Sequence, residues 1–363
     1  MTASHEGGGE QAPSAPEQAS STPEHAPSAP EQGISAAEQG ISAADLDVEE
    51  VDALPFVEAI SKVLLAAWPA PAVHYTVDFL KWQFTFPGPP ARGALGRVKG
   101  EPAAFVGFAP RRLRRGREAS PSYATAFLGV VPTLRGGGVA NRVYGPMIGM
   151  VAASGLPCVG FVDVTTPAAR RLLVKHTEAH GMTLTSLRLC RNWGFLERAG
   201  TPPALPHREA ASPEEVLRVI DACASEDTLW TAPDREGLLH YAKDPRGRKF
   251  VVVEEGGSVV GAAMVMLSEV TSKEGVDRLV TVDAIWLPEP TAPRLRALFQ
   301  ASRAAFAGQA SAPMVGAPNL GTIDDATAKS AGLRPTAAVY EPFVYQRGQS
   351  VFTSSSVTNQ EMV

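Results

Sequence analysis

Cysteine is scarce in this sequence, with three in 363 residues. Cys158, Cys190 and Cys223 stand far apart, form no C-x-x-C pair and fall on apolar segments, where a free thiol behaves as a small hydrophobe. No metal site follows from them. Positive charge is not in excess either: the formal net charge of −5 argues against a general affinity for nucleic acid or an anionic membrane. No apolar run approaches the roughly 18 residues that span a bilayer, and the first residues lack a basic cluster followed by an apolar core. These absences lead to the expectation of a soluble, cytoplasmic chain.

Large apolar side chains are nearly missing from residues 1–47, which consist of Ala, Pro, Ser, Glu, Gln and Gly. There Ala12–Gln18 repeats as Ala26–Gln32. Burial cannot offset the entropy of ordering such a segment, so a disordered, solubilising tail is expected.

What the chain does have is the stretch Tyr123-Ala-Thr-Ala-Phe-Leu-Gly-Val-Val-Pro-Thr-Leu-Arg-Gly-Gly-Gly-Val-Ala140. Tyr123–Val131 is a β-branched and aromatic run that Pro132 stops, as suits a buried strand. From Val139, apolar residues at 139, 143, 147, 148 and 151 recur at helical spacing. Gly136, Gly137 and Gly138 therefore sit at a helix N-terminus, where unpaired N–H groups and the macrodipole favour a phosphate. A Walker loop is excluded because Val139 and Ala140, not Lys and Ser/Thr, follow the last glycine. A dinucleotide fingerprint is excluded because no Gly-x-Gly-x-x-Gly is present there.

The remaining pattern, Arg135-x-x-Gly138-x-Ala140 directly after a strand, resembles the acetyl-CoA motif of the GNAT acetyltransferase superfamily. The resemblance covers roughly residues 48–198. It implies that amides of Arg135, Gly136, Gly137, Gly138, Val139 and Ala140 hold the CoA pyrophosphate. It also implies that backbone groups around Val130 and Val131 bind the pantetheine arm. Many family members carry a Tyr in the helix that follows the next strand. Aligning on Ala169 puts Leu173 at that position, and Thr166 replaces an Asn that often precedes the helix.

Along the chain, periodicity predicts helices over 54–67 and around Phe79–Trp82, a hairpin over 93–109, and the strand from Tyr123. Next come a helix to about Ser154 that Pro146 kinks or interrupts, a strand at Cys158–Val164, and a helix from Pro167 to Gly181. Residues 183–193 are expected to supply the closing strand. This is the GNAT order and makes an α/β (α+β) mixed sheet. The Arg-rich run 111–117 reads as a solvated hairpin loop, since no stacking aromatics interleave.

Thr201–Pro206 reads as linker, and Ser212-Pro-Glu-Glu215 as a capping box opening a new helix. A hairpin over 249–267, a strand to Leu287, helices from about Arg294 and Ile323 and a strand over 339–345 follow. Landmarks of the first half return at similar spacing, namely Gly107 and Gly261, Pro132 and Pro288, Gly181 and Gly332. Two tandem GNAT-like acyl-CoA N-acyltransferase domains are thus expected at 48–200 and 210–347, with a linker at 201–209 and tails at 1–47 and 348–363. The second loop, Glu289–Arg294, holds no glycine and two prolines, so the second unit is expected to be degenerate.

The expected activity is transfer of an acetyl or acyl group from acetyl-CoA, as co-substrate, to a small-molecule or protein amine, without metal and with neither nucleic acid nor membrane as partner. Asp163, at the end of its strand, and Tyr123 are the candidate catalytic side chains, against helix capping and aromatic packing as their other readings. Thr166 can still donate a hydrogen bond to the coenzyme. His176 and His180 are one helical turn apart, but with no third ligand they read as a solvated helix face. Because Leu173 cannot protonate a thiolate, the alternative is an acyl-CoA-binding sensor or scaffold without turnover.

Overall fold

The computed structural model describes residues 45–68, 72–197, 201–224, 228–230, 233–348 and 357–359. Nearly all of the expected N-terminal tail and most of residues 348–363 lie outside them. The first half runs β1 (Leu46–Asp52), α1 (Val57–Ala67), β2 (Ala72–Val73), α2 (Val77–Phe84), β3 (Arg92–Val98) and β4 (Glu101–Arg115). It continues with β5 (Glu118–Val130), α3 (Val139–Ser154), β6 (Cys158–Asp163), α4 (Pro167–Ala179), β7 (Met182–Ser186) and β8 (Cys190–Leu196). The second half runs β9 (His207–Glu209), α5 (Pro213–Ala222), β10 (Thr228–Trp230), α6 (Arg235–Tyr241), β11 (Lys249–Glu255) and β12 (Ser258–Ser272). It continues with β13 (Gly275–Trp286), α7 (Ala292–Ala305), β14 (Met314–Ala317), α8 (Asp325–Ser330), β15 (Leu333–Arg347) and β16 (Val357–Asn359).

All the strands join one mixed sheet, whose main path is β1-β3-β4-β5-β6-β15-β8-β14-β13-β12-β11-β9. Each half is recognisable on either side of its centre. The centre is an exchange: β15, from the second half, pairs with β6, while β8, from the first half, pairs with β14. Residues 183–193 therefore do not close the first sheet as one strand. They divide into β7 and β8, and β15 takes the closing place, with Phe343 and Tyr345 packed under α3 and Val344 on the opposite face.

One apolar core lies under α1, α2, α5 and α6 and is shared by both halves. Two others fill the space under α3 and α4 and under α7 and α8. Helix starts follow local chemistry: Thr76 caps α2 by accepting from the Phe79 N–H, and Ser212 caps α5 by accepting from the Glu215 N–H at 3.4 Å. The Glu215 carboxylate accepts from the Ala211 N–H and clasps Arg208 at 2.6 and 2.9 Å. Helix α3 continues through Pro146, which has no N–H to donate to the ladder.

The Arg-rich run is a strand tip rather than a solvated loop. Arg111 is 1 % exposed, bonded to Gln83 and to the Pro110 carbonyl, with its guanidinium 5.2 Å from the Phe86 ring centre. Arg112 reaches Asp234 at 3.0 Å, and Arg114 pairs with Asp221. Arg112 and Arg114 thus tie β4 to the second half. Among the described residues, no helix is long and apolar enough to cross a membrane.

Candidate active site

The glycine loop emerges where β5 leaves the sheet. After Val130 a 3-10 turn over Pro132–Leu134 anchors itself by the buried Leu134, and Gly136 (φ 81°) and Gly138 (φ 79°) then adopt left-handed conformations open to glycine. Gly138 is the N-cap of α3, so that helix starts without a side-chain cap. A Cβ on Gly136 would meet nothing within 4 Å, so the loop faces open space.

Beside it, β5 and β6 run parallel but pair only where Tyr123 faces Cys158 and Ala124 faces Val159. Beyond these, β5 stays with β4 and β6 with β15, and a wedge opens between them. At the wedge β5 slips against β4 between Gly107, opposite Ala126, and Phe105, opposite Gly129. Phe127 and Leu128 fill this bulge, and Phe127 takes φ 70°, a rare conformation for a bulky residue. Its ring is fixed edge-on by Phe84 and Tyr75, at 5.3 and 6.2 Å.

Loop and wedge border a mostly apolar cleft of about 550 Å³. Its lining includes Ala67 and Trp68 from the end of α1, Leu128 and Val130 from β5, the loop, and Ala168, Arg171, Leu172 and Lys175 from α4. Trp68 Nε1 donates to the Leu128 carbonyl at 3.1 Å. Arg135 donates to the Ala67 carbonyl and, from Nε, to that of Val130 at 3.4 Å. Asn141, on the first turn of α3, accepts from Lys175 Nζ at 2.7 Å, and its Oδ1 lies 3.1 Å from His176 Nε2. Three cations, Arg135, Arg171 and Lys175, thus border the cleft, a field suited to an anion.

Of the residues singled out from the sequence, Val130, Arg135, Gly136, Gly138, Val139 and Ala140 line this cleft together. Val131, Gly137 and Thr166 are not in the lining. The Val131 N–H is committed to the Ala103 carbonyl, and Thr166 makes no side-chain cap, its own N–H donating to the Asp163 carbonyl. The Asp163 carboxylate is taken by the turn it starts, accepting from the Thr165 N–H at 2.8 Å and its hydroxyl at 2.7 Å. Tyr123 is buried with its ring 4.4 Å from that of Phe108, and burial pushes its hydroxyl pKa up. Leu173 is core, 1 % exposed. His176 is not solvated: it packs against Gly145 of α3, where an added Cβ would stand 3.2 Å from the imidazole, and burial lowers its pKa. The residues that sequence reasoning missed, Trp68, Leu128 and the α4 positions, lack a motif. The i, i+4 spacing of Ala168 and Leu172 was their one signal.

No protein-family model matches the sequence, and no curated protein matches it. Solved structures do. The N-myristoyltransferase of Saccharomyces cerevisiae with bound myristoyl-CoA and inhibitors superposes with a TM-score of 0.61 at 14 % identity, over 88 % of this chain and 87 % of that one. A tandem GNAT protein from the clavulanic acid biosynthesis pathway gives 0.57 at 11 % identity, over 84 % and 99 %. A putative acetyltransferase from Pyrococcus horikoshii gives 0.55 at 10 % identity, over 86 % and 93 %.

The fold is a tandem GNAT fold. Its second half repeats the framework of the first, with β13 and β14 paired only at Val280–Val315 and Thr281–Gly316 and a bulge whose extra residue is Asp283. The segment that corresponds to the glycine loop has a different character there. Thr291 caps α7 with its own hydroxyl, and Arg294 is held by Glu255 and Glu289. At the bulge, Asp283 is buried against Arg248, which also bonds Asp244 at 3.0 Å.

Proposed function

We propose that this protein is an acyl-CoA-dependent N-acyltransferase whose first half binds the CoA thioester in the cleft between the glycine loop, β5 and α4. The uncapped N-terminus of α3, set at the mouth of an apolar cleft with a cationic rim, carries the reading. The pyrophosphate would lie on the amides of Gly136–Ala140, with Arg171 and Lys175 near the phosphates. The pantetheine arm would run down the apolar wall along Val130 and Leu128. Its thioester would reach the bulge, where the backbone of Phe127 and Leu128 is out of the β4 ladder and can stabilise a developing oxyanion. The fold neighbours support a CoA ligand, one of them having myristoyl-CoA bound. The acceptor would be an amine approaching from the open side of the wedge; its nitrogen forms the amide as the thioester C–S bond breaks, its proton passes to solvent or to a group of the acceptor, and CoA leaves as the thiol, protonated from solvent.

Titration calorimetry tests this. Gly137 has no left-handed backbone and a Cβ there meets only the Leu134 carbonyl at 3.7 Å, so Gly137→Glu adds a carboxylate without strain. Wild type is expected to bind CoA and acetyl-CoA at micromolar Kd, about −8 kcal/mol, and Gly137→Glu at least about tenfold more weakly. Equal affinity in both, or no binding in the wild type, would overturn the site.

A second reading, acyl-CoA binding without turnover, is favoured by the buried Leu173 and by Asp163 being taken up in its own turn. CoA release in the presence of any amine excludes it.

A further inference from the structure

The wedge has a floor, and the exchanged strand supplies it. Pairing of β5 with β6 ends at Ala124 and Val159, so the next residues, Thr125 and Gly160, stand at the vertex. Gly160 has no left-handed φ to require glycine. Its neighbour across β15 is Phe343, and a Cβ added at Gly160 would lie 2.7 Å from Phe343 Cζ and 3.5 Å from the Thr125 Cβ. The ring thus reaches over the glycine toward β5, and it is 3 % exposed. The lining of the cleft includes Leu128 and Val130 but no residue of β6 or β15, so the open volume stops before the ring.

We propose that Phe343 sets the length of the acyl group, admitting acetyl or propionyl and excluding longer chains. This rests on the reading that the cleft binds a CoA thioester. With the pantetheine descending from the loop along Val130 and Leu128, the carbonyl sits at the bulge and the acyl tail points onward to the vertex. Phe127 and Thr125 are two residues apart, about 7 Å along a strand, and a carbon–carbon contact with the ring takes about 4 Å of that. What remains holds a methyl or ethyl group. A specificity element for the first half is therefore carried near the end of the second, on a strand that the first half cannot supply.

The test is calorimetric binding of free CoA, acetyl-CoA, propionyl-CoA and octanoyl-CoA to wild type and Phe343→Ala, with melting curves to confirm folding. Wild type is expected to bind the first three alike and octanoyl-CoA at least about tenfold more weakly; in Phe343→Ala that penalty should shrink about tenfold while free CoA is unaffected. If the alanine variant does not fold, Phe343→Leu, which keeps an apolar side chain and loses the ring, is expected to relax the penalty in part. A wild type that takes octanoyl-CoA as well as acetyl-CoA overturns the proposal, and so does a folded variant with the full penalty. Failure of free CoA to bind wild type is a different signal. It removes the reading of the cleft, and the proposal with it.

Discussion

His176 shows what a single residue contributes beneath the loop. It meets Asn141 and Tyr144 on α3, with Lys175 and His180 on its own helix. Burial first, then the charges of Lys175 and His180, lower its pKa below the ordinary 6.5. The folded state therefore resists protonation while the unfolded chain accepts a proton near 6.5. The sign follows: stability is full above about pH 6.5 and falls as pH drops through that value toward the lower folded pKa. His176→Gln should flatten this slope, seen as a smaller loss of urea midpoint between about pH 7.5 and 5.5. An unchanged slope would show that another group is responsible. The loop glycines were legible in the sequence because their type and spacing form a local pattern between a strand and a helix. His176 was not, since a histidine on a charged helix looks the same whether it faces water or Gly145 of another helix.

Among the elements, α2, α5, α6, α7 and α8 start on a side-chain cap while α1, α3 and α4 do not, and the uncapped first turn of α3 borders the cleft. Ser212 caps α5 and Thr291 caps α7, while α3 begins on Gly138 with no side-chain acceptor. Ser212→Ala should cost about 1 kcal/mol in chemical denaturation and leave CoA affinity unchanged. A shift in CoA affinity would mean that α5 contributes to the cleft. The capping box was readable because its residues are neighbours in sequence. β1 was not legible as a strand: its first two residues fall in the expected tail and 48–52 in the first domain with no element assigned, because Leu46-Asp-Val-Glu-Glu-Val-Asp52 carries its acidic residues where no local partner exists. The structure pairs it with β3, where Glu49 meets Arg97 at 2.8 Å and Asp52 meets Arg92 at 3.3 Å. The bulge at Phe127 left no mark either, since only the register against β4 reveals it.

For the molecule as a whole, the exchange of β8 and β15 means that neither half has a complete sheet alone. Further stitching comes from β2, which pairs with β12, and β10, which pairs with β4. Residues 45–200 expressed alone are expected to show no cooperative melting, and co-expression with 201–363 should restore it. A sharp independent transition in the first fragment would show that the exchange is dispensable. The exchange was hidden from the sequence for a simple reason: an apolar run such as Val339–Tyr345 suits any vacant edge, and only the whole sheet determines which edge it fills.

The same strand has a meaning during synthesis. Until residue 347 has left the ribosome, β6 and β8 of the nascent first half present bare backbone edges, and the chain from Asp163 or Leu196 to Leu333 must emerge before the strand that seals both. At about 5–20 residues per second, those edges stay open for roughly ten seconds or more after their own translation. Folding of the two halves is therefore expected to wait for β15 rather than to proceed domain by domain, with a holding chaperone as its natural companion in the interval.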